Sequence, residues 1–361
     1  MQTTSTNVDC KTQMTDLELH LLNDYQRDFP LVPAPFGVIA GRLGVSEALV
    51  LETLAQLQER GAVSRVGAVF RPHSIGASSL AAIAVPAGEL EEAARLISSY
   101  AEVNHNYERE HHYNLWFVVA ATDETRVREV LAEIEHRTGC PVLHLPMIED
   151  YHIDLGFDLV QPHEGRRTGN RRAPSRDMLR HTVATAVPQP SETALIGAVQ
   201  QGLLLVSRPF AKIGESIGLS ESEVIAGLAQ LQDQGVIKRI GVVVRHHELG
   251  YRANAMVVWD ITDDLVSALG HCIGKFDFVT LCYQRPRRLP AWRYNLFCMI
   301  HGRDRDEVLS LVAQLEEQCG LHDVPHEVLF SQRRFKQCGA RYVVNGQETA
   351  YPAQLSAVSG G

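Results

Sequence analysis

Between Val103 and Phe117 the chain reads Val-Asn-His-Asn-Tyr-Glu-Arg-Glu-His-His-Tyr-Asn-Leu-Trp-Phe. In an extended strand alternate residues share a face, so His105, Tyr107, Arg109 and His111 line one side, and Asn106, Glu108 and Glu110 the other. Two imidazoles, a phenol and a guanidinium on one surface can hold an anionic aromatic ligand, bind a metal or move a proton near neutral pH. The bland alternative is a half-exposed strand rich in surface histidines. Trp116 and Phe117, which follow, read as packed sheet rather than as a stacking platform.

Something must present that strand, and the chain supplies the frame twice. Pro35-Phe36 recurs as Pro209-Phe210, Gly44 as Gly218, Gly61 as Gly235, Gly67 as Gly241 and Gly76 as Gly250, every pair 174 positions apart. One offset held over five landmarks marks a duplication. Tyr113-Asn114-Leu115 recurs as Tyr294-Asn295-Leu296, now 181 apart, so the second copy has gained residues around Pro286 to Trp292.

Each copy opens with an amphipathic segment, a Pro-Phe turn, a short helix, a Gly turn and a Ser-capped helix, then a β-rich wing at Val63 to Phe70 or Val236 to Val244. That order is a winged helix-turn-helix. After Gly76 the pattern becomes strand (Leu80 to Val85), helix (Leu90 to Tyr100), strand (Val103 to Glu110), strand (Tyr113 to Thr122), helix (Glu124 to Gly139) and strand (Val142 to Tyr151). This is a βαββαβ ferredoxin-like unit, repeated from Ala253 to about Phe330. The fold class is therefore α+β, a tandem of two such pairs. Its boundaries read as a winged helix-turn-helix over 1–75, a ferredoxin-like domain with the His-rich strand over 76–164, and a basic, small-residue-rich linker over 165–191. A second winged helix-turn-helix spans 192–249, a second ferredoxin-like domain 250–345, and a tail 346–361.

Composition bounds the partners. The 361 residues carry a formal net charge of −9, so nothing global attracts nucleic acid or an anionic membrane, and a bound anion must be held by local arginines. From Val45 to Ala62 the only base is Arg60, against Glu47, Glu52 and Glu59; Leu219 to Val236 has none, against Glu221, Glu223 and Asp233. Helices of that sign are repelled by a duplex, so no specific DNA binding is expected. No apolar run spans a bilayer and the first residues lack a signal-type core, which reads as cytoplasmic. Seven scattered cysteines with no C-x-x-C pair give poor support to disulfides, zinc ribbons or iron–sulfur ligation.

Three stretches carry a family resemblance: Arg-x-Gly-Ala-Val-Phe (Arg65 to Phe70), His-Asn-Tyr-x-Arg-x-His-x-Tyr-Asn-Leu-Trp-Phe (His105 to Phe117), and Tyr294 to Met299. They resemble the siroheme decarboxylases, relatives of the Lrp/AsnC regulators, in the form that joins two homologous subunits in one polypeptide. The resemblance implies non-oxidative loss of carbon dioxide from the C12 and C18 acetates of siroheme, giving 12,18-didecarboxysiroheme for heme d1 or an alternative heme route. It implies two essential histidines, which fall on His105 and His111. The neighbouring His112 falls on a variable position and reads as surface.

The substrate so implied is a planar iron tetrapyrrole with eight carboxylates. It needs a flat cleft and cationic clamps, and its iron leaves room for an axial contact that either His105 or His111 could make; no metal of the protein's own and no cofactor beyond that iron are expected. Loss of carbon dioxide leaves an electron pair that a protonated pyrrole can accept, and imidazole is matched in pKa to that proton transfer. Which histidine is the acid stays open. Two imidazoles side by side in a pocket walled by arginines of both halves is the arrangement this chemistry calls for.

In the second copy the matching positions are Leu281, Tyr283, Arg285 and Arg287. The phenol and guanidinium are kept and the imidazoles lost, so this copy either binds carboxylates or is a degenerate site. Arg285, Arg287, Arg288 and Arg293 form a cationic strip, with Tyr107, Arg109, Tyr113 and Tyr283 as further binding candidates and Arg333, Arg334 and Lys336 as weaker ones. His73 and His247 have no partner at metal-ligand spacing. A ligand-sensing Lrp/AsnC-type transcription regulator is the alternative function, and a tetrapyrrole carrier a third. The duplication supplies one pseudo-dimer, and edge-strand pairing allows a homodimer besides.

Overall fold

The computed structural model describes residues 14–71, 74–153, 190–245 and 253–340; the linker up to 189, the tail, His73 and His247 lie outside them. The first copy runs α1 (Asp16–Asn23), α2 (Pro35–Leu43), α3 (Glu47–Glu59), β1 (Val63–Phe70), β2 (Ala77–Ile83), α4 (Leu90–Ser99), β3 (Val103–Arg109), β4 (Leu115–Ala121), α5 (Glu124–Thr138), β5 (Leu143–Pro146) and β6 (Glu149–Ile153). The second runs α6 (Pro190–Val199), α7 (Pro209–Ile217), α8 (Glu221–Asp233), β7 (Ile237–Val244), β8 (Ala253–Trp259), α9 (Val266–Ile273), β9 (Val279–Gln284), β10 (Leu296–Gly302), α10 (Arg305–Cys319) and β11 (His326–Gln337). Local chemistry sets the helix ends: Pro35 and Pro209 start α2 and α7, left-handed Gly44 and Gly218 end them, and Ser46 and Ser220 cap the helices that follow.

The winged-helix units do not stand apart. Leu21, Phe36, Leu54, Leu195, Phe210 and Leu228 belong to one core shared by both copies. Their wings pair with each other, β1 antiparallel to β7, with Gly67 opposite Gly241. Each of those glycines faces its own repeat counterpart across the ladder, so the pseudo-twofold passes between them. Bulk is excluded there: a Cβ on Gly241 would lie 2.2 Å from the carbonyl oxygen of Gln26, and one on Gly67 2.8 Å from Cα of Gly202.

The two ferredoxin-like units likewise merge into one nine-stranded sheet, ordered β5-β2-β4-β3-β11-β8-β10-β9-β6. The strand expected over Val142 to Tyr151 is divided: β5 pairs with β2 of its own copy, and β6 crosses to β9 of the other. In the second copy β11 does the same without a break, pairing with β8 through Phe330 and with β3 from Ser331 onward. The end strands β5 and β6 are separated only by Met147 and Ile148, so the sheet must curl until its ends meet. Helices cover the outer face with two cores, one per copy. The inner face holds a third, built from both copies, with Trp116 and Leu145 against Met256, Tyr283, Trp292 and Phe297.

The recurrent Tyr-Asn-Leu acts as a staple. Asn114 donates to the carbonyl of Val85 (2.8 Å) and accepts from its N–H (2.9 Å). Asn295 does the same at Ile261, at 2.9 Å for both bonds. One expectation fails outright, because Cys272 and Cys319 form a disulfide joining α9 to α10, with Cα atoms 6.2 Å apart. They lie 47 residues apart in sequence, and only the packing of two helices brings them together.

Candidate active site

After a register shift that leaves Val103 in the outer core, β3 turns His105, Tyr107 and Arg109 to the inner face. The even one between them is pinned outward, since Asn106 Nδ2 donates to the carbonyl of Ala94 (3.0 Å) and the hydroxyl of Ser98 (3.1 Å) on α4. His105 and Tyr107 stack at 6.3 Å between centroids, and the guanidinium of Arg109 lies 5.9 Å from the Tyr107 ring. These three expected residues therefore stand together.

His105 is half-buried, and its Nδ1 lies 2.6 Å from Oδ1 of Asn104. That amide oxygen can only accept, so Nδ1 carries the proton and Nε2 is left with its lone pair. Burial, and then the positive charge of Arg65, push the His105 pKa down to about 4. The ring is neutral at physiological pH.

Arg109 and its counterpart Arg285 hold the inner face from both copies. Each is buried and reaches across to the other copy, Arg109 to the carbonyl of Leu329 at 2.9 Å and Arg285 to that of Leu145. Neither has a carboxylate partner among the described residues, and the Nε of each is buried without a hydrogen bond. Burial draws the Arg109 pKa down to about 10. Arg285 lies over the Tyr283 ring at 4.4 Å, and Tyr283 stacks on Phe297 at 6.0 Å.

His111 does not stand beside His105. β3 ends at Arg109, and a tight turn with His111 N–H donating to the Arg109 carbonyl (2.9 Å) breaks the alternation that would have aligned the two rings. His111 joins an aromatic cluster instead, stacked on Tyr113 at 6.0 Å and edge-on to Trp292 at 5.6 Å. Its Nδ1 accepts the N–H of Tyr113 at 2.9 Å, so Nε2 carries the proton, 2.8 Å from Oε2 of Glu327. Glu327 also accepts the hydroxyl of Tyr294 at 2.7 Å. Burial lowers the His111 pKa, and Glu327 works against it.

The cationic strip is largely neutralised. Arg287 pairs with Asp260 (2.9 Å) and Asp263 (2.5 Å), and Arg293 pairs with Asp260 (2.7 Å). Arg288 is exposed and donates to the carbonyl of His144 at 2.8 Å. Of the later cluster, Arg333 pairs with Glu91 and Glu108, and Lys336 donates to the carbonyls of Ser98 and Tyr100, whereas Arg334 stands opposite Tyr107 in the ladder. Asn104, Trp292, Glu327 and Arg65 escaped the sequence reading as site residues. Only Arg65 had a signal there, as the first residue of the wing motif.

The AsnC-like ligand binding domain matches residues 74–152 and 248–336, and the siroheme decarboxylase NirDL-like HTH domain matches 18–63 and 192–238. The siroheme decarboxylase NirDL subunit of Paracoccus denitrificans is 44% identical over 328 residues, covering 91% of this chain and 97% of its own. The chain belongs to the siroheme decarboxylase family. The duplication is visible in the family itself, since the siroheme decarboxylase NirD subunit of Pseudomonas aeruginosa matches 40% of this chain with 97% of its own length, at 53% identity. The crystal structure of the siroheme decarboxylase NirDL in complex with an iron-uroporphyrin III analogue superposes with a TM-score of 0.61 at 29% identity, covering 91% of this chain and 93% of that one.

Proposed function

We propose that this siroheme decarboxylase removes carbon dioxide from the C12 and C18 acetates of siroheme to give 12,18-didecarboxysiroheme, a step toward heme d1 or an alternative heme. The observation that carries this reading is a pair of buried guanidiniums, Arg109 and Arg285, one from each copy, neither with a carboxylate partner among the described residues. Buried cations are ordinarily paired, and an anionic ligand is the natural missing partner. A solved relative holds an iron-uroporphyrin analogue, a ligand of that kind.

Each turnover breaks one C–C bond, releases carbon dioxide and places one proton on the methylene carbon left behind. The pyrrole carrying the acetate can take the electron pair meanwhile, so the iron of the substrate is the only metal we invoke. The tautomers divide the labour: His105 offers an Nε2 lone pair, suited to the substrate iron or to accepting a proton. His111, whose imidazolium form Glu327 favours, is suited to a general acid once protonated. Tyr107, Tyr113 and Tyr283 supply aromatic surface. Arg287, Arg288 and Arg293, engaged with protein groups, can serve the ligand only from the rim.

DNA recognition is outside this reading. α3 and α8 carry no Lys or Arg, and Arg60, just after α3, is paired with Glu18. No described helix is long and apolar enough to cross a membrane. Whole chains can still pair into a homodimer, with β5 carbonyls already taken by Arg285 and Arg288. The decisive experiment is anaerobic incubation of the purified protein with siroheme, following product mass. Loss of two carbon dioxides, abolished in His105→Ala and His111→Ala, is the expected result; unchanged substrate mass with the wild type would refute it.

A further inference from the structure

Arg65 belongs to the winged-helix layer, on β1, yet its guanidinium meets the far end of the sheet. A Cβ built on Gly339, just past β11, would sit 3.4 Å from its Cζ. The preceding residue, Cys338, donates its N–H to the carbonyl of Asn104 at 2.9 Å, and Asn104 holds His105. Arg65 thus stands at the His105 end of β3, reached through Gly339, Cys338 and Asn104, and its charge acts on that ring.

Its own partners are few. Nη2 donates to the carbonyl of Ala68 at 3.2 Å within the same strand, Nε is buried without a hydrogen bond, and no carboxylate pairs with it among the described residues. A guanidinium offers five donors in a planar fork suited to a carboxylate, so most of that capacity is unspent. Arg334 of the second copy stands opposite Tyr107 in the β3–β11 ladder and contributes positive charge at the Tyr107 phenol.

The second copy shows what the position does when no imidazole stands there. Arg239, the counterpart of Arg65, is buried and donates to the carbonyl of Gln26, binding one copy to the other. Leu281 replaces His105 in that copy.

We propose that Arg65 is a substrate-binding residue: the wing of the first copy overhangs the His105 end of the sheet and clamps a peripheral carboxylate of the tetrapyrrole, with Arg334 adding charge from β11. This rests on the reading that the chain binds a siroheme-type ligand along β3. It gives the winged-helix layer a part in binding that needs no nucleic acid.

The test is a Soret-band titration of the full-length protein with iron uroporphyrin III, in wild type, Arg65→Gln, Arg109→Gln and the surface control Arg208→Gln. Arg65→Gln should weaken binding at least tenfold and flatten its salt dependence, and Arg208→Gln should leave both unchanged. A second readout is the His105 titration followed by NMR, which should move upward once the neighbouring positive charge is gone. Should the glutamine variant fail to fold, Arg65→Met keeps the packed stem and removes the charge. If the wild type binds and Arg109→Gln weakens binding while Arg65 variants match the wild type, this inference is overturned alone. If the wild type does not bind, the reading beneath it falls too.

Discussion

His111 and Glu327 come from different copies, and their contact opposes the burial that lowers the pKa of the ring. Glu327 favours the imidazolium, so Glu327→Gln should lower the His111 pKa further below the ordinary histidine value. If protonated His111 delivers the proton, the alkaline limb of the kcat/KM profile then moves to lower pH, with activity falling about tenfold per unit beyond it. A limb that stays in place would remove His111 from the acid role. The sequence displayed His105, Tyr107 and Arg109 as one face, because a strand's alternation depends only on its own residues. It could not display Glu327 or Arg65, which arrive from strands far along the chain, nor the turn after Arg109 that carries His111 away from His105.

Pairing between strands is where the elements depart from a one-dimensional reading. Helix ends were legible from Ser46, Ser220, Pro35, Pro209 and the turn glycines, since caps act within a few residues. The wings were legible as strands, but not as partners of each other. The division of the Val142 to Tyr151 strand was hidden as well, because both parts fit the same alternation while pairing with different copies. The backbone carbonyls of Tyr25 and Gln26, packed against β7, leave no room for a side chain at Gly241. Gly241→Ala should therefore cost about 1–3 kcal/mol, the usual range for overpacking, seen as a lower urea midpoint at constant slope. An unchanged midpoint would mean that the backbone around Gln26 yields freely.

At the scale of the whole molecule, the duplication was the most legible feature and its consequence the least. Landmarks at a constant offset announce two copies, but not that the copies share a winged-helix core, exchange β6 and β11, and bury a common inner face. Neither half should be stable alone. Co-expressed as separate chains cut between residues 154 and 189, the halves should form a 1:1 complex by light scattering, while each by itself aggregates. A monomeric, cooperatively folding half would contradict this. Joining the copies has a further effect at the Gly67–Gly241 dyad. In a dimer of identical chains, one altered codon changes both sides of the axis together. Here each side has its own codon, so one lineage of the repeat could trade its imidazoles for Leu281 and Arg287 while the other kept His105 and His111. Two codons for each position of the repeat let the two faces of the pseudo-twofold differ.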